Sequence, residues 1–302
     1  MKKAAIIGVG HVGSTLAYTL ITRNIVDELV LFDKKEGQLL SEYNDLFDGQ
    51  VDRYNHVKLI DSNLSELADT DVLIFSAGDI TIFEGNSDRF AELYLTKEIV
   101  EEWAPKIKES GFKGILVNIT NPCDVVTQRL QELTGLPKER VFGTGTTLDS
   151  ARMKHAVSKK FNVHPSSVEG YVLGEHGESQ FVAWSSVRIG GIPIAEMLSA
   201  SELEELEGIA RAGGWITMRG KGYTSFGIAN QAALVVEAVL NNNFKVLPVS
   251  SYSEKDQCYA GHPAKVGSTG IIEDYHFSLT ELEKQKWEKS IETIKFMHST
   301  AL

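Results

Sequence analysis

The 302-residue sequence has little cysteine, no excess of basic residues and no long hydrophobic run. Its two cysteines, Cys123 and Cys258, are too few for a disulfide framework and suit a reducing compartment. The 41 acidic residues outnumber the 30 basic ones, and the resulting net charge of -11 repels nucleic-acid backbones and anionic membranes. No apolar stretch approaches the roughly 18 residues that a membrane span needs. We therefore expect neither a nucleic-acid partner nor a membrane partner.

Two further absences bear on location and metal content. The chain begins Met1-Lys2-Lys3 and runs directly into an apolar stretch that ends at Gly8. This leaves no room for the apolar region and cleavage site of a secretory signal peptide, so we expect a cytoplasmic protein. The seven histidines other than His176 contain no pair with metal-ligand spacing, and we expect no metal site.

The first half of the chain alternates strand and helix patterns. Lys3–Ile7 and residues 29–32 are short apolar runs separated by a glycine-rich turn and a helical segment, which is typical of a βαβ unit. Val72–Phe75 and residues 115–119 are two more such runs, with a long helical stretch between them. The pattern predicts a Rossmann-type, doubly wound parallel sheet.

The second half mixes strands with helices. Strand-like runs occur at residues 167–173 and 182–189, and helical spacing occurs at 148–161, 203–211, 225–240 and 280–296. We therefore predict an α/β protein in which residues 1–143 form a Rossmann domain. Residues 144–302 then form an α+β substrate domain with antiparallel strands.

The turn after the first strand carries a dinucleotide fingerprint. Gly8-Val-Gly10-His-Val-Gly13 follows a strand and opens a helix, where the glycines permit a tight turn, approach to a pyrophosphate and helix–strand packing. Asp33 stands 20 residues beyond Gly13, where a carboxylate accepts hydrogen bonds from a ribose and repels a 2′-phosphate. The sequence therefore favours NAD as the cofactor bound by residues 1–143. Lys34 and Lys35 could offset the repulsion of a 2′-phosphate, so use of NADP remains open.

Several polar residues form a candidate catalytic set. Asp149 and Arg152 are three residues apart, so a helix places them on one face. His176 lies between Gly174-Glu175 and Gly177, and flanking glycines give its side chain access. Asn121 follows a predicted strand, at the edge where open α/β sheets bind ligands. Arg89 follows a polar, glycine-containing stretch that a closing lid would use.

Three longer motifs surround these residues. They are GTGTTLDSARM at 143–153, LGEHGESQFVAWS at 173–185 and GKGYTSFG at 220–227. In order and spacing the whole chain resembles the lactate/malate dehydrogenase family, and within it the L-2-hydroxyisocaproate dehydrogenases. The resemblance implies an NAD-dependent L-2-hydroxyacid dehydrogenase that works as a homotetramer or homodimer.

The resemblance also implies roles for the catalytic set. His176 would exchange a proton with the substrate oxygen, because imidazole titrates near neutrality. Asp149 would orient the ring and stabilise its charged form. Arg152 would clamp the substrate carboxylate with its planar fork, and Arg89 would polarise the carbonyl. Asn121 would bind the substrate oxygen or its neighbour.

Further positions follow from the same resemblance. Thr224 and Ile228 would line the substrate and nicotinamide faces. The implied cofactor-binding residues are Gly8, Gly10, His11, Val12, Gly13, Asp33, Ala77, Gly78, Ile119, Asn121 and Ile228.

The segment from Asp79 to Asp88 is expected to select the substrate. Malate dehydrogenases of the family place an Arg there for a second carboxylate, whereas this segment contains neither Arg nor Lys and has Ile82-Phe83 in the aligned region. An unpaired second carboxylate in a closed site is unfavourable. We therefore expect a medium-sized apolar 2-oxo acid similar to 2-oxoisocaproate, with Ile82 and Phe83 contacting its side chain.

Other functions remain open at this point. The chain could be an L-lactate dehydrogenase acting mainly on pyruvate, or a malate dehydrogenase. The NAD-dependent glycosidases that share the fold need a metal-binding Cys/His set, of which Cys123 is only a faint sign. A catalytically inactive NAD-binding protein is a further alternative, although every acid, base and cation position is filled.

Overall fold

The computed structural model describes residues 1–78 and 89–301 of the chain. Ten helices and strands make up its first half. They are β1 (Lys3–Ile7), α1 (His11–Thr22), β2 (Glu28–Phe32), α2 (Glu36–Asp48), β3 (Lys58–Asp61), β4 (Val72–Phe75), α3 (Arg89–Glu109), β5 (Ile115–Asn118), α4 (Cys123–Thr134) and β6 (Val141–Gly143).

The six strands of this half form one parallel sheet in the order β3-β2-β1-β4-β5-β6. Their side chains alternate between two hydrophobic layers, as the period of two in a strand requires. In β1, Ala4 and Ile6 belong to the layer packed by α1, whereas Ala5 and Ile7 face the layer that contains Trp103 of α3. Burial on both faces explains why these strands are short, continuous apolar runs.

The second half contains twelve helices and strands. They are α5 (Thr147–Phe161), β7 (Val168–Glu169), β8 (Val172–Leu173), β9 (Phe181–Val182), β10 (Arg188–Ile189), β11 (Ile192–Pro193), α6 (Ala200–Lys221), α7 (Phe226–Leu240), β12 (Lys245–Ser253), β13 (Cys258–Gly267), β14 (Gly270–Asp274) and α8 (Glu281–Ala301). Short 3₁₀ turns connect several elements of the chain: Leu64–Asp69, Lys138–Arg140, Pro165–Ser167, Trp184–Ser186 and Ile194–Glu196.

Part of the second half extends the large sheet. Strand β12 pairs antiparallel with β6 through Ser250 and Gly143, and β13 and β14 continue beyond it, giving nine strands. Strands β7, β10 and β11 form a separate antiparallel sheet, and β8 pairs with β9. The predicted fold class is confirmed. The proposed division at residues 143/144 stays a prediction.

Several elements differ from the sequence expectation. The strand expected at residues 182–189 is interrupted by the 3₁₀ turn Trp184–Ser186, which separates β9 from β10, and the strand expected at 167–173 is divided into β7 and β8. The hairpin of β12 and β13 was not anticipated, because Pro248 and Pro263 weaken a strand pattern; the two prolines lie opposite each other in the ladder. Helix α6 is longer than residues 203–211, since Ser199 and Glu202 form a capping box at its start and the helix continues through its glycines. Among the described residues, no helix has the length and apolar character that a bilayer crossing requires.

Candidate active site

The glycine loop is built as its spacing predicts. Gly8 has φ +91°, and a Cβ there would lie 2.7 Å from the backbone of Ala77. A Cβ on Gly13 would collide with the carbonyl oxygen of Gly8, so this glycine lets α1 approach β1. No atom lies within 4 Å of a Cβ built on Gly10, which leaves the loop open at the start of α1.

Asp33 ties this loop to the end of β2. Its Oδ2 accepts a hydrogen bond from the Val9 N–H at 2.9 Å, and its Oδ1 accepts one from the Lys35 N–H at 2.9 Å. Helix α1 starts after Gly10 without a side-chain cap, so its first amide groups and its dipole are available to an anion. Loop, helix end and carboxylate together form a surface suited to a dinucleotide.

The other predicted cofactor positions border the same edge of the sheet. Ala77 follows β4 and receives a hydrogen bond on its carbonyl oxygen from Thr120 Oγ1, 3.0 Å away. The Thr120 methyl group would lie 3.6 Å from a Cβ on Gly78. Val12 and Ile119 pack into the hydrophobic layer beside α1. Ile119 is 9% exposed and Val12 is half-buried.

The predicted catalytic residues of α5 and the loop after β8 come together directly. His176 Nδ1 lies 2.6 Å from Asp149 Oδ2, and Arg152 Nη1 donates to Asp149 Oδ1 at 3.0 Å. Asp149 is almost fully buried, with 3% of its side chain exposed, whereas His176 keeps 20% and Arg152 22%. One buried carboxylate therefore holds an imidazole and a guanidinium that both reach solvent.

Electrostatics in this trio favour the charged forms. Burial alone would lower the pKa of His176, but attraction to Asp149 and the hydrogen bond to it outweigh burial and raise the pKa. Burial would raise the pKa of Asp149, and the neighbouring His176 and Arg152 hold it below its usual range instead. An imidazole poised in this way can give up and take back a proton near neutral pH.

Two glycines of α6 lie against Arg152. A Cβ built on Gly214 would come within 3.3 Å of the guanidinium group, and one on Gly213 within 3.9 Å of the side-chain stem. The lack of a side chain at these two positions lets Arg152 pack closely against the backbone of α6. The sequence motif marked neither of them.

Thr224 lies in the turn that joins α6 to α7, and Ile228 lies in the first turn of α7. Thr224 is half-buried and Ile228 is buried. Between them, a Cβ on Gly227 would lie 3.0 Å from Leu148, the residue before Asp149. The start of α7 is therefore packed against α5, the helix that carries Asp149.

A ring stack joins the glycine loop to this turn. His11, the first residue of α1, stacks on Tyr223 with ring centroids 3.7 Å apart and an angle of 4° between the planes. Tyr223 directly precedes Thr224. A predicted cofactor-binding residue, His11, therefore contacts the neighbour in sequence of a predicted substrate-lining residue, Thr224.

Three predicted residues cannot be placed. Ile82 and Phe83 lie outside the described residues, and so does the side chain of Arg89, whose backbone begins α3. Asn121 is described: its carbonyl oxygen accepts a hydrogen bond from Thr96 Oγ1 at 3.1 Å. It stands just before α4, at the same sheet edge as Ala77.

The sequence argument missed two residues that shape the site. Asn118 ends β5, and its side-chain nitrogen donates to the carbonyl oxygens of Thr120 and Cys123, both at 3.0 Å, which fixes the turn that carries Ile119 and Asn121. Asp124 accepts a hydrogen bond from the His176 N–H at 2.8 Å. A polar residue ending a buried strand is a usable signal for Asn118, but no local pattern links Asp124 to a loop 52 residues away.

Known proteins match the chain over its full length. The family model described as "lactate/malate dehydrogenase, NAD binding domain" matches residues 2–143, and "lactate/malate dehydrogenase, alpha/beta C-terminal domain" matches residues 146–300. L-lactate dehydrogenase 3 of Bacillus cereus is 35% identical over 306 residues, covering 97% of this chain and 96% of the relative.

Solved structures agree with this match. The minor L-lactate dehydrogenase of Enterococcus mundtii in its ligands-bound form superimposes with a TM-score of 0.95 and 33% identity, covering 99% of this chain and 98% of that one. The lactate dehydrogenase of Cryptosporidium parvum, complexed with lactic acid and nicotinamide adenine dinucleotide, gives a TM-score of 0.94 at 27% identity with the same coverage.

The Asp149–His176 pair predicts a pH-dependent stability difference. Because the folded-state pKa of His176 is raised above 6.5 and that of Asp149 is lowered below 3.8, the pair stabilises the fold most between these two values. Asp149→Asn should reduce the free energy of unfolding there by about 1–3 kcal/mol, and the loss should shrink as pH rises above 6.5. Urea denaturation from pH 4.5 to 8.5 measures this.

The matched control is Glu281→Gln, which removes the carboxylate of an exposed ion pair with Lys284 on α8. It should change stability little at any pH. If Asp149→Asn lowered the free energy of unfolding by the same amount from pH 4.5 to 8.5, the result would contradict a charged Asp149–His176 pair.

Proposed function

Because the chain belongs to the lactate/malate dehydrogenase family, whose N-terminal domain binds NAD, we propose that it is an L-2-hydroxyacid dehydrogenase specific for a medium-sized apolar 2-oxo acid. The observation that carries the proposal is the arrangement of His176, Asp149 and Arg152. It supplies a proton carrier and a carboxylate-binding cation on one buried anion.

The residues at the sheet edge fit NAD. Gly10 leaves the loop open, and the uncapped start of α1 offers amide donors to a diphosphate. Asp33 is held by two backbone N–H groups, and its remaining lone pairs can accept from ribose hydroxyls. Bound NAD would supply the hydride acceptor or donor. Side chains of this chain would exchange the substrate's proton and bind its carboxylate.

We assign the proton transfer to His176. Asp149 accepts the Nδ1 proton, so Nε2 is the nitrogen that exchanges a proton with the substrate oxygen. During oxidation a neutral imidazole takes the hydroxyl proton, and during reduction the charged imidazole returns it. Asp149 stabilises that charged form by its position against the ring.

Arg152 is the proposed carboxylate clamp. Within the described part of the chain, only its Nη1 has a hydrogen bond, to Asp149, which leaves further donors of the fork for a substrate. Arg89 would add a second cation at the reacting carbonyl, and Asn121 and Thr224 would complete the polar lining. These roles follow from the family resemblance and from the positions of the residues that the structure describes.

The apolar preference rests on the composition of one segment. Residues 79–88 contain no Arg or Lys to pair with a second carboxylate, so oxaloacetate would bring an uncompensated charge into the site. Burial of each additional methylene contributes about 0.8 kcal/mol, with Ile82 and Phe83 as the proposed contacts.

An L-lactate dehydrogenase acting mainly on pyruvate is the second candidate. The names of the Bacillus cereus relative and of both superimposed structures favour it. The two candidates share the same catalytic residues and differ only in the space allotted to the substrate side chain.

We also propose a homo-oligomer, a tetramer or dimer, located in the cytoplasm. Helix α6 exposes Ile209, Trp215 and Ile216, the last with 70% of its surface in contact with solvent, and α2 exposes Leu40 and Phe47. Large apolar side chains clustered on a helix face favour contact with another chain. The two cysteines are buried free thiols, which suits a reducing compartment.

A panel of 2-oxo acids with NADH tests the substrate class. We expect kcat/KM to fall in the order 2-oxoisocaproate or phenylpyruvate, then pyruvate, then oxaloacetate. His176→Asn is the catalytic control: it should lose nearly all turnover while binding NADH as the wild type does, measured by fluorescence titration. Oxaloacetate as the best substrate would refute the charge argument, and a tenfold preference for pyruvate would establish the second candidate.

Substitution of Asp33 tests cofactor selection. Asp33→Ser should weaken NADH binding about tenfold or more, because charged hydrogen bonds to the ribose and the tie to Val9 are lost, and should raise the NADPH/NADH ratio of kcat/KM. Asp27→Ser is the control, since Asp27 also accepts a backbone N–H, from Lys2, but at the opposite end of β2. An unchanged cofactor ratio would assign the selection to another residue.

Light scattering after size-exclusion chromatography tests the oligomer. We expect Ile216→Glu to shift the wild-type dimer or tetramer toward smaller species, because a buried charge opposes an apolar contact. Ile272→Glu is the control: it introduces the same charge at an exposed isoleucine of β14 and should leave the oligomeric state unchanged. A wild-type monomer at micromolar concentration would contradict the proposed assembly.

A further inference from the structure

A second carboxylate, that of Asp124, lies behind the proposed catalytic histidine. Asp124 occupies the first turn of α4 and is 2% exposed. Its Oδ2 accepts the backbone N–H of His176 at 2.8 Å, and its Oδ1 accepts the hydroxyl of Ser250 in β12 at 2.5 Å. The Asp124 carboxylate thus connects α4, the large sheet and the loop of residues 174–180 that carries His176, which we call the histidine loop.

The charge of Asp124 is not needed for these hydrogen bonds. The amide oxygen of an asparagine could accept the His176 N–H, and its NH2 group could donate to Ser250 Oγ, without the cost of burying a charge. That cost is evident here: burial raises the pKa of Asp124 to about 6, against the lowering effects of Ser250 and His176. A carboxylate retained in such a position points to an electrostatic task.

The imidazole of His176 is the nearest group that such a charge can serve. On α5, Asp149 attracts its proton and Arg152 opposes it; in its own loop, Glu175 adds a further negative charge near Asp124. The thiols of Cys123 on α4 and Cys258 on β13 also face Asp124, and burial raises the pKa of both, so they stay neutral. Among the described residues, Asp124 and Asp149 are both carboxylates whose charge favours the protonated form of the ring.

We propose that Asp124 is a positioning residue that fixes the backbone of His176 and, through its charge, helps to set the proton affinity of the imidazole. The inference rests on the proposed acid–base role of His176. Asp149 acts on the ring directly through Nδ1, whereas Asp124 acts through the backbone amide and through space. Together they keep the ring both oriented and protonated for reduction of the 2-oxo acid.

The histidine loop has other anchors that remain when Asp124 is changed. Gly174 and Gly261 of β13 exchange two backbone hydrogen bonds, at 2.9 and 2.8 Å. The Glu175 N–H donates to Ser290 Oγ of α8 at 2.6 Å. A conservative substitution at Asp124 should therefore leave the loop folded, so its effect on His176 can be measured.

The test compares Asp124→Asn, Ser250→Ala and the wild-type chain. The His176 ring is titrated by ¹H–¹⁵N NMR of histidine-labelled protein, with its signals assigned by their loss in His176→Asn, and kcat/KM for reduction is measured over the same pH range. Glu283→Gln is the matched control, because Glu283 is also buried and accepts backbone N–H groups, of Ser185 and Thr280, but does not contact the histidine loop.

In Asp124→Asn the midpoint of the His176 titration should fall by about one pH unit, and the alkaline limb of kcat/KM should move with it. Ser250→Ala should lower the His176 midpoint and the alkaline limb by a smaller amount. Loss of the Ser250 hydrogen bond raises the pKa of Asp124, so Asp124 keeps its charge over only part of the pH range. Glu283→Gln should leave both unchanged.

An unchanged His176 midpoint in Asp124→Asn would overturn the proposal, whatever happened to thermal stability. The NMR titration needs no turnover. A wild-type chain that reduces no 2-oxo acid would therefore contradict the proposed function, while the titration would still decide the role of Asp124.

Discussion

The hydrogen bond between the His176 ring and the Asp149 carboxylate joins two segments that lie 27 residues apart in the chain. The same carboxylate holds Arg152, so the group proposed to carry the proton and the group proposed to bind the substrate carboxylate share one buried anion. Neither can move without disturbing the other. The pairing also keeps cations in place within a protein whose overall charge is strongly negative, which a small anionic substrate requires.

The position of this trio follows from the sheet. Parallel strands bring their carboxyl ends to one edge, and the residues that follow β1, β2 and β4 there are Gly8, Asp33 and Ala77. Helix α4 starts at the same edge after β5 and presents Asp124 to the histidine loop. The predicted dinucleotide surface and the start of α4 therefore lie at the same edge of the sheet, where open α/β sheets bind ligands, and the His11–Tyr223 stack connects the start of α1 to the turn before α7.

The sequence was least informative where contacts are long-range. The strands β12 and β13 contain prolines and lack regular alternation, so their pairing depends on the rest of the sheet. Asn118-Ile119-Thr120 matches the Asn-x-Thr pattern of glycosylation sites, and this pattern carries no structural information. The side chain of Asn118 nevertheless fixes the turn before α4. In α6, glycines interrupt the helical pattern, but packing against Arg152 and α5 makes them acceptable there.

By itself, the sequence determined the fold class and the position of the glycine loop with Asp33, and it marked His176, Asp149 and Arg152 as candidates, because each depends on local spacing or on a motif of a few adjacent residues. Tertiary structure alone decided that one carboxylate serves both His176 and Arg152, and that Asp124 and Ser250 lie behind the histidine. The physical reason is that burial and hydrogen bonding between distant segments arise only when the chain has folded. No pattern along the chain encodes which buried groups will then share a charge.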